Sequence, residues 1–139
     1  FVFNAGIGYF GEYSKIPLLK EKEMLQVNLW ANMLFVKQLL PFVSENTQFI
    51  FIWSVAGKSL FSGGAGYQAS KFWLRGFVGA LRKELWNRCF LINPKIVKTN
   101  FYKNSQNSFD EHKTTTLQDI FHVVETILAG KQPQREIDL

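Results

Sequence analysis

Apolar residues along the chain follow two different spacings. Short, nearly continuous apolar runs at Phe1–Phe3, Gln48–Trp53 and Cys89–Ile92 are typical of parallel strands that are buried on both faces. Between these runs, apolar residues recur every three or four positions over Leu18–Leu40 and Tyr67–Trp86. This spacing predicts two long amphipathic helices, each of which covers a sheet with its apolar side.

The C-terminal part of the chain predicts one further helix and one further strand. Thr116-Leu-Gln-Asp119 has the pattern of a capping box, so a helix is expected from there to about Ala129, with Gly130 as its stop. Arg135–Leu139 predicts a final strand. The polar stretch Phe101–Thr115 is expected to be a loop, which is either simply solvated or a lid over a site.

The predicted order of elements is β-α-β-α-β-α-β, which indicates an α/β fold with a doubly wound parallel sheet. Sheets of this class bind ligands just beyond the carboxyl ends of their strands. Asn4, Ser54 and Asn93-Pro94 each directly follow one of the predicted strands. We therefore expect these residues to lie at a common site.

Ser54, Tyr67 and Lys71 indicate proton-transfer chemistry. Tyr67 and Lys71 are four residues apart at the start of the second long helix, so their side chains are expected on one helix face. A free phenol has a pKa of about 10, and a neighbouring cation favours the phenolate and lowers that pKa toward neutrality. Ser54 adds an uncharged hydroxyl that can bind a substrate oxygen. Together these groups suit proton exchange with a carbonyl or alcohol oxygen.

Length and composition agree with a single globular domain. The chain has 139 residues, of which 47% are hydrophobic, including 14 Phe and 4 Trp. Its longest apolar runs are far shorter than a membrane span, so no membrane association is expected. Cys89 is the single cysteine and is expected to be a small buried apolar residue. A chain without a disulfide agrees with a cytoplasmic location.

Nucleic acids and metal ions are not expected as partners. The net charge of +5 comes from scattered basic residues and not from a basic patch with accessible aromatic rings. His112 and His122 lie well apart from other ligand-type residues, so no metal site is predicted.

Several short motifs occur in the order in which the short-chain dehydrogenase/reductase family has them. They are Asn4-Ala-Gly6, Asn28, Ser54-Val-Ala-Gly57, Tyr67-x-x-x-Lys71, and Asn93-Pro94 with Thr99. The chain resembles the short single-domain branch of that family from residue 1 to at least Thr99. The resemblance implies that residues 1–139 form one partial domain, the C-terminal catalytic part of a three-layer Rossmann fold.

The resemblance also implies a role for each catalytic residue. Tyr67 would be the general acid and base that acts on the carbonyl or hydroxyl oxygen, and Ser54 would orient that oxygen. Lys71 would lower the pKa of Tyr67 and bind the ribose next to the nicotinamide. Asn28 would hold a water molecule that links Lys71 to solvent.

The implied cofactor is NAD or NADP, with NADP slightly ahead, and the chain itself does not decide between them. Cofactor-side residues would be the two active-site residues Tyr67 and Lys71 together with Asn4, Ala5, Gly6, Pro94 and Thr99. The implied substrate is a small ketone or secondary alcohol. The two long helices match those that pair subunits in the family, which implies a homodimer or homotetramer.

The chain departs from the family pattern in several places. It has no glycine-rich turn for the cofactor pyrophosphate, and because it begins with Phe1 inside a predicted strand we expect residues before it. The connection from Glu84 to Pro94 is about three residues shorter than usual. Lys95 stands where the family has Gly, and either crowds the nicotinamide or points outward. Trp53 replaces a small residue, and either shapes the pocket or only packs.

These departures keep two alternative functions open. The chain would then be a catalytically inactive remnant of the family or a binding protein without a complete cofactor site. An epimerase or dehydratase of the longer branch would need a C-terminal substrate domain.

Overall fold

The computed structural model describes residues 1–85, 88–99, 101 and 114–139 of the chain. Its strands are β1 (Val2–Phe3), β2 (Phe49–Ile52), β3 (Cys89–Asn93), β4 (Ile96–Val97), β5 (Thr114–Thr115) and β6 (Glu136–Asp138). Its α-helices are α1 (Leu18–Leu25), α2 (Ala31–Leu39), α3 (Ala65–Glu84) and α4 (Leu117–Leu128). Short 3-10 turns lie at Tyr13–Lys15, Leu40–Phe42 and Val55–Gly57.

The central sheet has the strand order β1-β2-β3-β6, and every pair in it is parallel. Ile50 of β2 lies beside Val2 on one side and beside Phe90 on the other. Parallel neighbours require crossover connections, and the helices between the strands provide them. The predicted α/β fold with a doubly wound parallel sheet is confirmed.

Alternate residues of the central strands enter two separate cores. Phe49, Phe51, Cys89 and Leu91 pack on one face with residues of α2 and α3, all of them almost fully buried. The intervening residues of the same strands pack on the other face against α4; this second core contains Ile50, Phe90, Ile92, Val123, Ile127 and Ile137. Because successive side chains of a strand point to opposite faces, a continuous apolar run serves both layers.

The first long helix is interrupted by a π-helical turn, which the spacing of apolar residues did not predict. Helices α1 and α2 are joined through the turn Gln26–Trp30, and a 3-10 turn follows α2. The π turn contains Asn28, whose backbone carbonyl accepts a hydrogen bond of 2.9 Å from Asn32 Nδ2. A wider turn of this kind disturbs the regular i to i−4 pattern, and the Asn32 amide occupies one of the affected carbonyls.

Several predicted boundaries shift by a few residues. Helix α3 begins two residues before Tyr67 and ends at Glu84, whereas Trp86 lies outside the described residues. Part of the predicted loop at its C-terminal end is instead strand β5, which pairs in parallel with β4. Strands of two residues carry no recognisable spacing, which is why the sequence did not reveal them. Residues 102–113, where the lid was predicted, lie outside the described residues.

Helix α4 begins with the predicted capping box. Thr116 Oγ1 accepts a hydrogen bond of 3.1 Å from the Asp119 N–H, and Asp119 Oδ2 accepts one of 2.9 Å from the Thr116 N–H. After the helix, Gly130 has a φ of +69°, a conformation that favours glycine. Among the helices in the described part of the chain, none has the length and apolarity to cross a membrane.

Candidate active site

A cavity of about 350 Å³ lies at the carboxyl ends of β1, β2 and β3. Its walls contain seven of the predicted site residues, namely Asn4, Gly6, Ser54, Tyr67, Lys71, Pro94 and Thr99. Other walls come from the turn after β3, from Phe101 and from the start of α4. Ala5 and Asn28 do not line the cavity. The fold therefore brings most of the predicted residues together from positions that are far apart in the sequence.

Tyr67 and Lys71 lie on the first turns of α3, and each side chain is 4% exposed. The Lys71 ammonium nitrogen lies 5.2 Å from the centre of the Tyr67 ring. The rings of Phe10 and Phe101 pack against the Tyr67 ring at centroid distances of 4.9 and 5.8 Å. The four-residue spacing thus places a phenol and an ammonium together in a largely apolar setting.

The Lys71 ammonium is almost completely removed from water. Burial lowers its pKa from 10.5 to about 7, because a low-dielectric environment disfavours the charged form. Its closest aromatic neighbour is Trp53, whose ring centre lies 3.9 Å from Nζ. The sequence had left open whether Trp53 shapes the pocket or only packs, and the structure shows that it does both.

Ser54 lies directly after β2, with its hydroxyl held by the backbone. The Ala56 N–H donates a hydrogen bond of 3.1 Å to Ser54 Oγ. A hydroxyl that accepts one hydrogen bond still has its own O–H to donate. Ser54 is 7% exposed and lines the same cavity as Tyr67 and Lys71.

Asn28 clamps the loop after β1 to helix α3 from behind the cavity. Its Oδ1 accepts a hydrogen bond of 2.8 Å from the Ile7 N–H, and its Nδ2 donates to the Ile7 carbonyl at 2.8 Å and to Ser70 Oγ at 3.0 Å. A Cβ atom at Gly6 would lie 3.5 Å from Asn28 Oδ1 and 3.6 Å from Lys71 Nζ. Asn28 and Lys71 therefore face the same point of the chain, although Asn28 is fully buried.

The remaining predicted cofactor-side residues differ in their surroundings. Asn4 and Ala5 are exposed, and Pro94 is buried, with its carbonyl accepting a hydrogen bond of 3.1 Å from the Val55 N–H. Thr99 Oγ1 accepts a hydrogen bond of 3.3 Å from the Phe101 N–H, so its side chain stabilises the local turn. Lys95 lines the cavity and has an exposed side chain.

Glu21 is a buried carboxylate beside helix α3 that the sequence did not reveal. It is 9% exposed, its Oε1 is buried without a hydrogen-bond partner among the described residues, and burial raises its pKa. A Cβ atom at Gly66 would overlap with Glu21 Oε2. Glycine directly before Tyr67 therefore leaves room for the carboxylate beside the first turn of α3.

The described residues contain no cluster of His, Cys, Asp and Glu that could hold a metal ion. His122 lies on α4, whereas His112 lies outside the described residues. Cys89 is fully buried in β3, and burial raises the pKa of its thiol to about 11. A thiol with such a pKa is protonated at neutral pH and is a poor nucleophile.

A profile of the family described as short chain dehydrogenase matches residues 1–110 of the chain. The chain belongs to the short-chain dehydrogenase family. An uncharacterized oxidoreductase of Bacillus subtilis, YusZ, is 28% identical over 113 residues, which cover 78% of this chain and 40% of that protein. The chain spans between 30% and 46% of the length of the first curated relatives that it matches.

Solved structures of short-chain dehydrogenases have the same fold. An alcohol dehydrogenase from the archaeon Thermococcus sibiricus, complexed with 5-hydroxy-NADP, superposes with a TM-score of 0.77 at 24% identity and covers 99% of this chain and 60% of its own. A 3-ketoacyl-(acyl-carrier-protein) reductase from Brucella melitensis, complexed with NADH, superposes with a TM-score of 0.84 at 20% identity. The match covers 99% of this chain and 64% of the reductase chain. At these identities the likeness shows the Rossmann-type fold.

Replacing Asn28 by Ala tests the clamp behind the cavity. The change leaves the Ile7 N–H, the Ile7 carbonyl and Ser70 Oγ without this partner inside the protein. We expect Asn28→Ala to lower the free energy of unfolding by about 2–4 kcal/mol, measured by urea denaturation. Asn46→Ala is the matched control, because Asn46 is exposed and should tolerate the change within about 0.5 kcal/mol. Equal effects at the two positions would contradict the clamp.

Replacing Lys71 by Met tests the buried ammonium. Between pH 7 and 10.5 the unfolded chain holds a proton on Lys71 that the folded chain has lost, so this group makes stability rise with pH over that window. We expect Lys71→Met to increase stability most at and below pH 7, and its advantage to shrink by about 1.4 kcal/mol for each pH unit above that. Urea denaturation at a series of pH values measures this. Lys83→Met, at an exposed position of the same helix, is the control for the loss of a lysine side chain.

Proposed function

We propose that this chain carries the catalytic centre of an NAD(P)-dependent oxidoreductase that interconverts a ketone and a secondary alcohol. The observation that supports this proposal best is the shared cavity of Ser54, Tyr67 and Lys71 at the carboxyl end of the sheet. A phenol, an ammonium and a hydroxyl around one cavity are suited to exchanging a proton with a substrate oxygen atom. Membership of the short-chain dehydrogenase family agrees with this chemistry.

In the proposed mechanism, the protein moves the proton and orients the oxygen. Ser54 donates a hydrogen bond to the substrate carbonyl oxygen and fixes its direction. Tyr67 gives its phenolic proton to that oxygen during reduction and takes it back during oxidation. The Lys71 ammonium, 5.2 Å from the Tyr67 ring centre, favours the phenolate that this transfer leaves behind.

The residues around the cavity fit the nicotinamide end of a dinucleotide. Lys71 offers a buried donor to ribose hydroxyls, and Asn4, Gly6, Pro94 and Thr99 form the adjoining walls. The cofactor, when bound, supplies or accepts the hydride. Asn28, held between the loop after β1 and α3, would support the water that links Lys71 to solvent. We propose NAD or NADP, because family structures of this fold were solved with 5-hydroxy-NADP and with NADH.

Replacing Tyr67 by Phe removes the transferable proton and keeps the ring. We expect Tyr67→Phe to lower kcat/KM by roughly a hundredfold or more, measured as oxidation of NADPH or NADH with a panel of small ketones. Tyr13→Phe is the control, because Tyr13 is 64% exposed and lies away from the cavity. Unchanged turnover in Tyr67→Phe would remove the mechanism. The absence of both saturable NADPH binding and turnover in the unmodified protein would favour the alternative without a complete cofactor site, whereas saturable binding would contradict that alternative.

We also propose that two or four copies of the protein associate through α1, α2 and α3. These helices and the turn between them expose a group of large apolar side chains that would be unfavourable in water, namely Leu18, Leu19, Trp30, Leu34, Phe35, Phe72 and Trp73. A groove of about 470 Å³ runs beside α3 and is lined by Phe61, Phe72 and Trp73.

Light scattering tests this association. We expect a dimer or tetramer for the unmodified protein and a shift toward monomer for Trp73→Glu, since Trp73 is 61% exposed in the proposed contact. Phe42→Glu is the matched control, because Phe42 is 81% exposed but lies in the turn after α2. A monomer at all concentrations would refute the association.

A further inference from the structure

The ring of Trp53 packs against the ammonium group of Lys71. Trp53 directly follows β2 and precedes Ser54, and its side chain points to the α3 side of the sheet together with Phe49 and Phe51. Lys71, on helix α3, lies over the Trp53 ring, with its Nζ 3.9 Å from the ring centre. Trp53 is 6% exposed, so water is largely excluded from this contact. A cation over a desolvated indole face is attracted by the negative potential of that face.

The surroundings of Trp53 accommodate the ring and leave its N–H unused. Trp53 Nε1 is buried and has no hydrogen-bond partner in the described part of the protein. A Cβ atom at Gly57 would lie 2.7 Å from Nε1, so the turn Val55–Gly57 leaves space for the indole by having no side chain there. Buried tryptophans usually find an acceptor for the N–H. Among the described residues, the contact of its ring face with Lys71 is the polar interaction recorded for this indole.

Few other charged groups face Lys71 within the described residues. Tyr67 shares its helix, and Lys95, on the turn after β3, lines the same cavity with a like charge. The loop after β1 and the π turn face it with Gly6 and the amide of Asn28, and α4 contributes Leu117 and Ile120. None of these described neighbours is a carboxylate that could hold the ammonium by an ion pair.

We infer that Trp53 is a positioning residue for Lys71, and that its indole face holds the lysine in the ammonium form next to Tyr67. Burial acts in the opposite direction, because it lowers the pKa of Lys71 to about 7. The attraction of the ring therefore decides how much of the lysine stays charged near neutral pH. Its effect on turnover rests on the proposed function, whereas its effect on the titration of Lys71 does not.

A series of variants with nearly constant side-chain size separates the electrostatic effect of the indole face from the effect of its volume. Trp53 alone is replaced by singly and doubly fluorinated tryptophan. Fluorine reduces the negative electrostatic potential of the ring face and hardly changes the shape of the ring. The titration of Lys71 is followed in the full chain by NMR of lysine labelled with ¹³C at Cε, with the Lys71 signal assigned by its loss in Lys71→Met. We expect the midpoint to fall stepwise with each fluorine, by about one pH unit over the series.

Three further variants control for the general effects of losing an aromatic side chain. Trp53→Phe keeps a ring with a weaker face and should lower the Lys71 midpoint by less than Trp53→Leu. Phe42→Leu removes an aromatic ring that is 81% exposed and lies outside the proposed subunit contact, and it should leave that midpoint unchanged. An unchanged midpoint in the fluorinated series overturns the inference. So does an upward shift in Trp53→Leu, since water that enters the space would then matter more than the lost ring.

The pH dependence of turnover is read separately. If the titration follows fluorination, the high-pH limit of kcat should move down with the Lys71 midpoint, while KM changes less. A protein without oxidoreductase activity but with the expected titration series would overturn the proposed function and support the contact between Trp53 and Lys71. A protein with oxidoreductase activity but without that titration series would support the proposed function and overturn the inference about Trp53 and Lys71.

Discussion

The burial of the Lys71 ammonium group at the carboxyl end of the sheet is the constraint on which the candidate site depends. Lys71 is 4% exposed, and a charge placed there requires compensation from its immediate neighbours. The neighbours are aromatic faces, with Trp53 at 3.9 Å and Tyr67 at 5.2 Å from the ammonium nitrogen. The same burial that makes the lysine costly also strengthens its electrostatic effect on the nearby phenol, because the low-dielectric surroundings screen little.

The elements around Lys71 act as supports for this contact. Strand β2 places Trp53 and Ser54 at its end, and α3 carries Tyr67 and Lys71 across that end. The π turn between α1 and α2 carries Asn28, whose amide joins the loop after β1 to Ser70 of α3. Each support comes from a different part of the chain. Small shifts of any one of them would change the distance between the ammonium and its rings.

Glycine positions follow from these close approaches. Gly57 leaves space for the Trp53 indole, and Gly66 leaves space for the Glu21 carboxylate beside the first turn of α3. In the sequence these residues read as ordinary features of a glycine-containing loop and of a helix start. In the structure their lack of a side chain allows two bulky neighbours to reach helix α3. A glycine within or near a site is thus explained by what packs against it.

Apolar spacing along the chain was sufficient to predict the order of strands and helices and the parallel sheet, because burial of a strand on both faces requires a continuous apolar run. The order of elements also predicted that Asn4, Ser54 and Asn93-Pro94 converge, since parallel strands end at one edge. Asn4, Ser54 and Pro94 do line one cavity. The π turn, the pairing of β4 with β5 and the contact between Trp53 and Lys71 were decided only by the tertiary structure. These features join residues that are distant in sequence, and their distances depend on how whole helices settle on the sheet, which no local spacing encodes.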